Sequence, residues 1–253
     1  MVGKAMHFGR KIPRIQGVRG VFMDVLGTIM DYSGYTYAGE ALYNEFVSTF
    51  GINADAQTLH ATWMNDWDDV FSKMAGFKAS RETWVTALVT TLARFGARTT
   101  PEVLSGLYDM YVQTVIRKTQ IYTDAPSELP KLKNAGYALG IVSDEEFDVV
   151  EGVLRNSGLY GLFNIVVVSD KVRGYKNKGE PFRQALRHTL LDPQEILYVG
   201  DSVARDVIPA KSVGLRTVLL TREGSGHQVE DVGPDYILPN LKALISALAD
   251  RKS

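Results

Sequence analysis

Apolar residues along the chain fall into two kinds of pattern. Near-continuous runs of aliphatic and β-branched residues occur at 18–23, 137–142, 165–168, 196–199 and 216–220, with a shorter one at 236–238. These runs are apolar throughout rather than alternating with polar residues, which predicts strands covered on both faces, as in a parallel sheet. Helix-length segments lie between the later runs, at 145–156 closed by Gly158, at 181–190, and at 203–213 closed by Gly214. Strand and helix in alternation predict an α/β fold built on a Rossmann-like, doubly wound parallel sheet.

More than a hundred residues without a comparable run separate the first two strands. Within them, 36–119 carries apolar residues at helical spacing, for example Leu104, Leu107, Tyr111 and Val115. Four helices are expected, at 37–50, 58–74, 81–95 and 101–117; Gly51, Gly76 and Gly96 end the first three, and Thr100 with Pro101 opens the fourth. This predicts an α-helical bundle, a cap domain at 35–119, inserted into a core domain made of 1–34 and 120–253. Residues 1–17 contain Lys4, Arg10, Lys11 and Arg14 but no acid, and are expected to form a basic, solvated arm. Trp63, Met64, Trp67 and Phe71, with Trp84 on the next helix, form a stripe expected to be bundle core rather than a substrate box. Tyr32, Tyr35 and Tyr37 stand where the chain leaves core for cap, where they can line a pocket mouth or pack a hinge.

Composition narrows the chemistry. The 253 residues are 45% hydrophobic and 23% charged, which suits an ordinary globular protein. With 28 basic and 29 acidic side chains the net charge is -1, so binding nucleic acid through a general positive field is not expected. The absence of cysteine excludes thiolate sites and disulfides, and the four histidines lack ligand spacing. No apolar stretch approaches the ~20 residues needed to cross a bilayer. The expectation is a cytoplasmic protein without membrane or nucleic-acid partners, monomeric or homodimeric.

Four strand ends carry polar groups. Asp24 ends the first run before a tight turn at Gly27 and Thr28, and Asp201 ends the fourth, with Asp206 five residues later. Brought together, these acids form a hard-oxygen site suited to Mg²⁺. Ser143 ends the second run, and Lys176 follows the third, shortly before Pro181 and Phe182. A hydroxyl and an ammonium there can bind and neutralise phosphoryl oxygens. Each residue has an ordinary explanation as a turn former, helix cap or surface charge, but four in this order at successive strand ends are harder to explain that way.

This order resembles the haloacid dehalogenase superfamily, over residues 18 to about 248. The likeness rests on the DxxGT at Asp24, Ser143, Lys176, and the GDxxxxD at Asp201 and Asp206. The resemblance implies a hydrolase with a helical cap between its first two motifs, acting on a small phosphorylated metabolite with Mg²⁺. It implies that Asp24 is the nucleophile and forms an aspartyl-phosphate. Asp24, Asp201, Asp206 and the backbone carbonyl of Leu26 would hold the metal, Thr28, Ser143 and Lys176 would bind phosphate, and Lys176 would also align Asp24. Lys178 lies close enough to compete for the lysine role, but the distance to Pro181 favours Lys176.

Leu26 breaks the pattern. Phosphatases of the superfamily place a second Asp there as general acid and base, help worth about 10² to 10⁴ in rate. Three readings remain open: phosphoryl transfer from a substrate with a good leaving group, carbon–halogen hydrolysis as in 2-haloacid dehalogenases, or a degenerate member that binds phosphate or a partner. Asp31, Tyr32, Asp144, Glu145 and Glu146 are candidates for a replacement acid. Asp144 is otherwise expected to N-cap the helix that begins at Glu145.

Overall fold

The structure, a computed structural model, describes residues 12–73, 75–222 and 233–248. Six strands, β1 (Gly20–Met23), β2 (Ala138–Ser143), β3 (Ile165–Val168), β4 (Ile196–Gly200), β5 (Arg216–Leu220) and β6 (Tyr236–Leu238), form one sheet in the order β3-β2-β1-β4-β5-β6. All five pairings are parallel. β1 is central, with Met23 beside Ile141 of β2 and Val199 of β4.

The period of two along each strand explains why the runs are apolar throughout. Val21 and Met23 of β1 enter one hydrophobic cluster, and Phe22 enters another on the opposite face. On the first face pack α5 (Ala125–Asn134), α6 (Phe147–Asn156) and α10 (Leu241–Leu248), through residues such as Leu129, Val150 and Leu244. On the other pack α8 (Glu180–Arg187) and α9 (Ile208–Ser212), through Phe182 and Ala210. A short α7 (Ser169–Val172) follows β3.

Between β1 and α5 lie α1 (Ser33–Phe50), α2 (Ala56–Ser72), α3 (Ser80–Arg94) and α4 (Pro101–Lys118). Their caps follow the local chemistry: Asp55 accepts from the Thr58 N–H at 2.8 Å and Thr100 from that of Val103 at 3.4 Å. The helices share a core of their own, with Leu42 and Phe46 of α1, Leu59 and Trp63 of α2, Trp84 and Leu88 of α3, and Leu104 and Tyr108 of α4. Ala38 and Val115, near the base of the bundle, pack instead with the sheet-side cluster.

Several details differ from the expectations. α1 begins four residues early, and the predicted segment at 203–213 is broken, a π-helical turn Val203–Val207 preceding α9. Pro209 has no N–H to continue a regular ladder, which accounts for the break. Of the aromatic stripe, Trp63 and Trp84 are buried and Trp67 partly so, whereas Met64 and Phe71 are exposed at 39% and 52%. In the basic arm, residues 1–11 lie outside the described residues, as does Met74 at the expected end of the second helix. The described end of the arm is not purely solvated: Ile15 is buried and its N–H bonds to the Ala247 carbonyl at 2.9 Å. No helix among the described residues is long and apolar enough to cross a membrane.

Candidate active site

Parallel strands deliver their C-terminal ends to one edge, and every polar strand-end residue is carried there. Asp24 directly follows β1, and its N–H bonds to the Val199 carbonyl of β4 at 2.9 Å. Asp201 directly follows β4, Ser143 closes β2, and Lys176 opens a 3₁₀ turn Lys176–Lys178 beyond β3. Asp206 comes in from the π-helical turn. Asp24, Asp201 and Asp206 each offer an oxygen within 4.8 Å of the others.

Lys176 sits among these acids, with its Nζ 2.9 Å from Asp24 Oδ1 and 2.6 Å from Asp206 Oδ1. It is 3% exposed, which distinguishes it from Lys178. Burial works to discharge the ammonium, but the fields of Asp206, Asp24 and Asp144 outweigh it and hold the pKa above the usual lysine value. The acids are driven the other way. Burial and the neighbouring carboxylates raise Asp24 despite Lys176, and push Asp201 up to about 7. Three carboxylates share one ammonium, so the site carries excess negative charge.

Two glycines permit this crowding. Gly27 has φ 79°, in the left-handed region, and a side chain there would collide with the Asp201 carboxylate. A Cβ on Gly200 would collide with Asp206. The turn after Asp24 is closed by the Val25 carbonyl, which accepts from the N–H groups of Thr28, Ile29 and Met30 at 3.2, 2.7 and 2.9 Å. The adjacent Leu26 carbonyl accepts no hydrogen bond among the described residues. Asp24 Oδ1, Asp201 Oδ1 and Thr28 Oγ1 are buried without hydrogen-bond partners, Asp24 Oδ1 having only the ion pair with Lys176. Buried polar atoms left unpaired cost roughly 1–3 kcal/mol each, so an unpartnered Asp201 oxygen beside Asp24 and Asp206 suits a bound cation. Oxygen donors of this kind fit Mg²⁺.

Residues not singled out in the sequence complete the frame. The hydroxyl of Tyr198, fully buried in β4, donates to the Val142 carbonyl at 2.8 Å and lies 3.1 Å from Asp206 Oδ1 and 3.4 Å from Lys176 Nζ. A lone phenol in an aliphatic strand was its only sequence signal. Arg222 donates to the Thr28 carbonyl at 2.6 and 3.0 Å, pairs with Asp124 at 3.1 Å and stacks 3.8 Å from the centre of the Tyr122 ring. Asp144 does not cap the helix as expected, since α6 starts at Phe147; its Oδ1 accepts from the Lys176 N–H at 2.8 Å and from the Ser169 hydroxyl.

Of the other candidate acids, Asp31 Oδ1 accepts from the Ser33 N–H at 2.9 Å and the Gln120 N–H at 3.2 Å, which ties the two strands of chain joining sheet to bundle. Glu145 and Glu146 accept from the Tyr35 and Tyr108 hydroxyls of α1 and α4. Burial pushes Glu145 up to about 7, against the Tyr35 hydrogen bond that favours its charge. Tyr35 therefore packs between bundle and core, also meeting Tyr111 edge-on at 6.5 Å, whereas Tyr32 and Tyr37 stay exposed at 45% and 46%.

Comparison with known proteins places this arrangement. The sequence pattern of the haloacid dehalogenase-like hydrolases matches residues 43–220, and the chain belongs to that family. It is a hydrolase. Pyrophosphatase PpaX of Bacillus velezensis is 35% identical over 125 residues, 49% of this chain and 57% of that protein, so the match spans little more than half of the relative. Phosphoglycolate phosphatase of Yersinia pseudotuberculosis is 25% identical over 238 residues, 93% of this chain and 95% of that protein. Among solved structures, the HAD-hydrolase YfnB of Bacillus subtilis bound to magnesium aligns with TM-score 0.73 at 20% identity, over 92% of this chain and 99% of that one. A 2-haloacid dehalogenase of Pseudomonas syringae aligns with TM-score 0.70 at 20% identity, over 91% and 97%. At these identities the two structures speak for the fold, which phosphatases and dehalogenases share.

Proposed function

We propose that the protein is a Mg²⁺-dependent phosphohydrolase of small phosphorylated metabolites, working through an aspartyl-phosphate on Asp24. The observation that carries this reading is the gathering of Asp24, Asp201 and Asp206 within 4.8 Å of one another, with Lys176 paired to two of them and Asp201 Oδ1 buried without a hydrogen bond. A carbon–halogen hydrolase needs no cation, and would leave the Asp201 oxygen and the excess negative charge unmatched. The relatives named pyrophosphatase and phosphoglycolate phosphatase point the same way.

In this reading Asp24 attacks phosphorus in line, and the ester of the leaving group is exchanged for an acyl phosphate that water then hydrolyses. Lys176 keeps the Asp24 carboxylate ionised and aimed, and its charge offsets that gathering on the phosphoryl oxygens. Tyr198 and Asp206 hold the ammonium in place, and the hydroxyls of Thr28 and Ser143 bind phosphoryl oxygens. Asp24, Asp201, Asp206 and the Leu26 carbonyl would hold Mg²⁺, which would supply positive charge against the phosphoryl oxygens. Residues 35–119 act as the cap, docked on the core through Tyr35 and Tyr108, and exclude water from the site.

Leu26 has no proton to give. The favoured substrates are therefore those whose leaving group departs without one, such as acyl phosphates, anhydrides or phosphonates with a stabilised carbanion. The test is phosphate release from a panel of esters, acyl phosphates, phosphonates and 2-halo acids, with Mg²⁺ and with EDTA. Phosphate release that EDTA abolishes and Mg²⁺ restores is expected. Halide release undiminished by EDTA, or anion binding with no turnover anywhere in the panel, would overturn the proposal.

A further inference from the structure

Helix α3 of the bundle starts without a cap of its own. The residue before it, Ala79, has no polar side chain to offer, so its first N–H groups need a partner from elsewhere. The core supplies one. Glu146 Oε1 accepts from the Arg81 N–H at 2.8 Å, across 65 residues of sequence, and its other oxygen accepts from the Tyr108 hydroxyl of α4. A carboxylate suits the positive end of a helix dipole. A second core residue grips the same place: the Tyr175 hydroxyl donates to the Lys78 carbonyl at 2.8 Å, and its ring packs 4.9 Å from that of Phe77 and 6.1 Å from that of Phe71, near the end of α2.

Both residues are close in the chain to groups of the site. Glu146 follows Ser143 by three positions, and Tyr175 directly precedes Lys176. Asp144 joins their loops, its Oδ1 accepting from the Lys176 N–H at 2.8 Å. Each side chain of the segment 143–146 thus has a separate partner. Ser143 Oγ accepts from the Glu145 N–H at 3.3 Å, Asp144 holds the lysine loop, Glu145 holds Tyr35 of α1, and Glu146 holds α3 and α4. The start of α3 is therefore anchored to the two short segments that carry Ser143 and Lys176, and a shift of α3 pulls on both.

Resting on the phosphohydrolase reading above, we propose that Glu146 and Tyr175 are positioning residues: by tying the start of α3 to the loops of Ser143 and Lys176, they make the alignment of the Lys176 ammonium depend on the bundle being docked. Neither touches the reacting atoms in this role. The bundle then does more than cover the site, because releasing α3 loosens the lysine that is paired with Asp24.

Amide hydrogen exchange tests this without a substrate. Exchange is followed by mass spectrometry in the full chain, for the wild type, Glu146→Ala, Glu146→Gln and Tyr175→Phe, and the affinity of inorganic phosphate is measured by calorimetry in excess Mg²⁺. Glu146→Ala should speed exchange about tenfold at the start of α3 and also at 176–179, while the middle of α3 and α10 keep wild-type rates. Phosphate should bind that variant about fivefold or more weakly. Glu146→Gln still offers an oxygen to the Arg81 N–H, and should stay within about twofold of the wild type in both readouts. Tyr175→Phe keeps the ring packing but loses the bond to Lys78, so it should move both readouts the same way by less, and it decides the matter if Glu146→Ala does not fold. Faster exchange confined to α3, faster exchange throughout the chain, or an unchanged phosphate affinity would overturn the assignment. A wild type that binds no phosphate would count against the phosphohydrolase reading, and exchange at 176–179 would still decide this one.

Discussion

Two buried carboxylate centres among the described residues are of opposite design. In the helical bundle, Asp66 is 2% exposed, and both its oxygens are used. Thr91 donates to Oδ2 at 2.9 Å, and Arg94 Nε reaches Oδ1 at 2.9 Å and Oδ2 at 3.1 Å. At the sheet edge, Asp24 and Asp201 are crowded by other acids, and each keeps an oxygen without a hydrogen bond. Burial of charge is common to both, so burial alone does not mark a site. Unfilled bonding capacity does: the Asp66 cluster is closed and joins α2 to α3, whereas the Asp24 cluster is open and can take in a cation and an anion.

Breaking the open centre should cost chemistry, and breaking the closed one should cost stability. Asp24→Asn is expected to lower phosphate release by at least about 10³-fold, with the circular dichroism spectrum unchanged. Retained turnover would mean that the open oxygens are not the reacting ones. Next in size, Leu26→Asp should raise the rate on alkyl phosphates by roughly 10- to 100-fold, and that on p-nitrophenyl phosphate much less, because phenolate leaves readily. An equal gain on both would show that proton transfer at position 26 is not what limits the enzyme.

Asp66→Ala should leave kcat within about threefold but lower unfolding stability by about 2 kcal/mol, read from urea denaturation, because charge-assisted hydrogen bonds of Thr91 and Arg94 are lost. The open centre should also respond to pH. Asp201, ordinarily near 3.8, is pushed up to about 7 in the folded chain by burial and by Asp206 and Asp24. The folded state thus holds its proton more tightly than the unfolded chain, so metal-free protein should lose stability as pH rises from about 4 to about 7. Mg²⁺ should raise the melting temperature more at about pH 7.5 than at about pH 5, while Asp201→Asn should flatten that difference. A Mg²⁺ effect independent of pH would place the metal elsewhere.

Much of this was legible in the sequence, because two-sided burial writes itself as apolar runs and because strand ends announce their polar residues. The strands from β1 to β6 and the four bundle helices follow from that periodicity, and Asp24, Ser143, Lys176, Asp201 and Asp206 from their positions at strand ends. What stayed hidden depends on contacts distant in sequence. Asp144 looks like a helix cap until the fold brings the Lys176 N–H to its carboxylate, 32 residues away. Tyr198 stands out only as one phenol in an aliphatic strand until its hydroxyl reaches Asp206. Asp66 gave no signal, since its partners Thr91 and Arg94 lie on another helix. The π-helical turn escaped because the apolar spacing at 203–213 suits a regular helix, and Pro209 alone marks the break.

Arg222, just past β5, ties the turn after β1 to the start of α5 and of α10. It grips the Thr28 carbonyl 194 residues upstream, and its partner Asp124 also accepts from the Leu241 N–H, the first residue of α10, at 2.8 Å. One ion pair thus joins the turn behind Asp24 to the start of α10, so a change that loosens it should be felt at both.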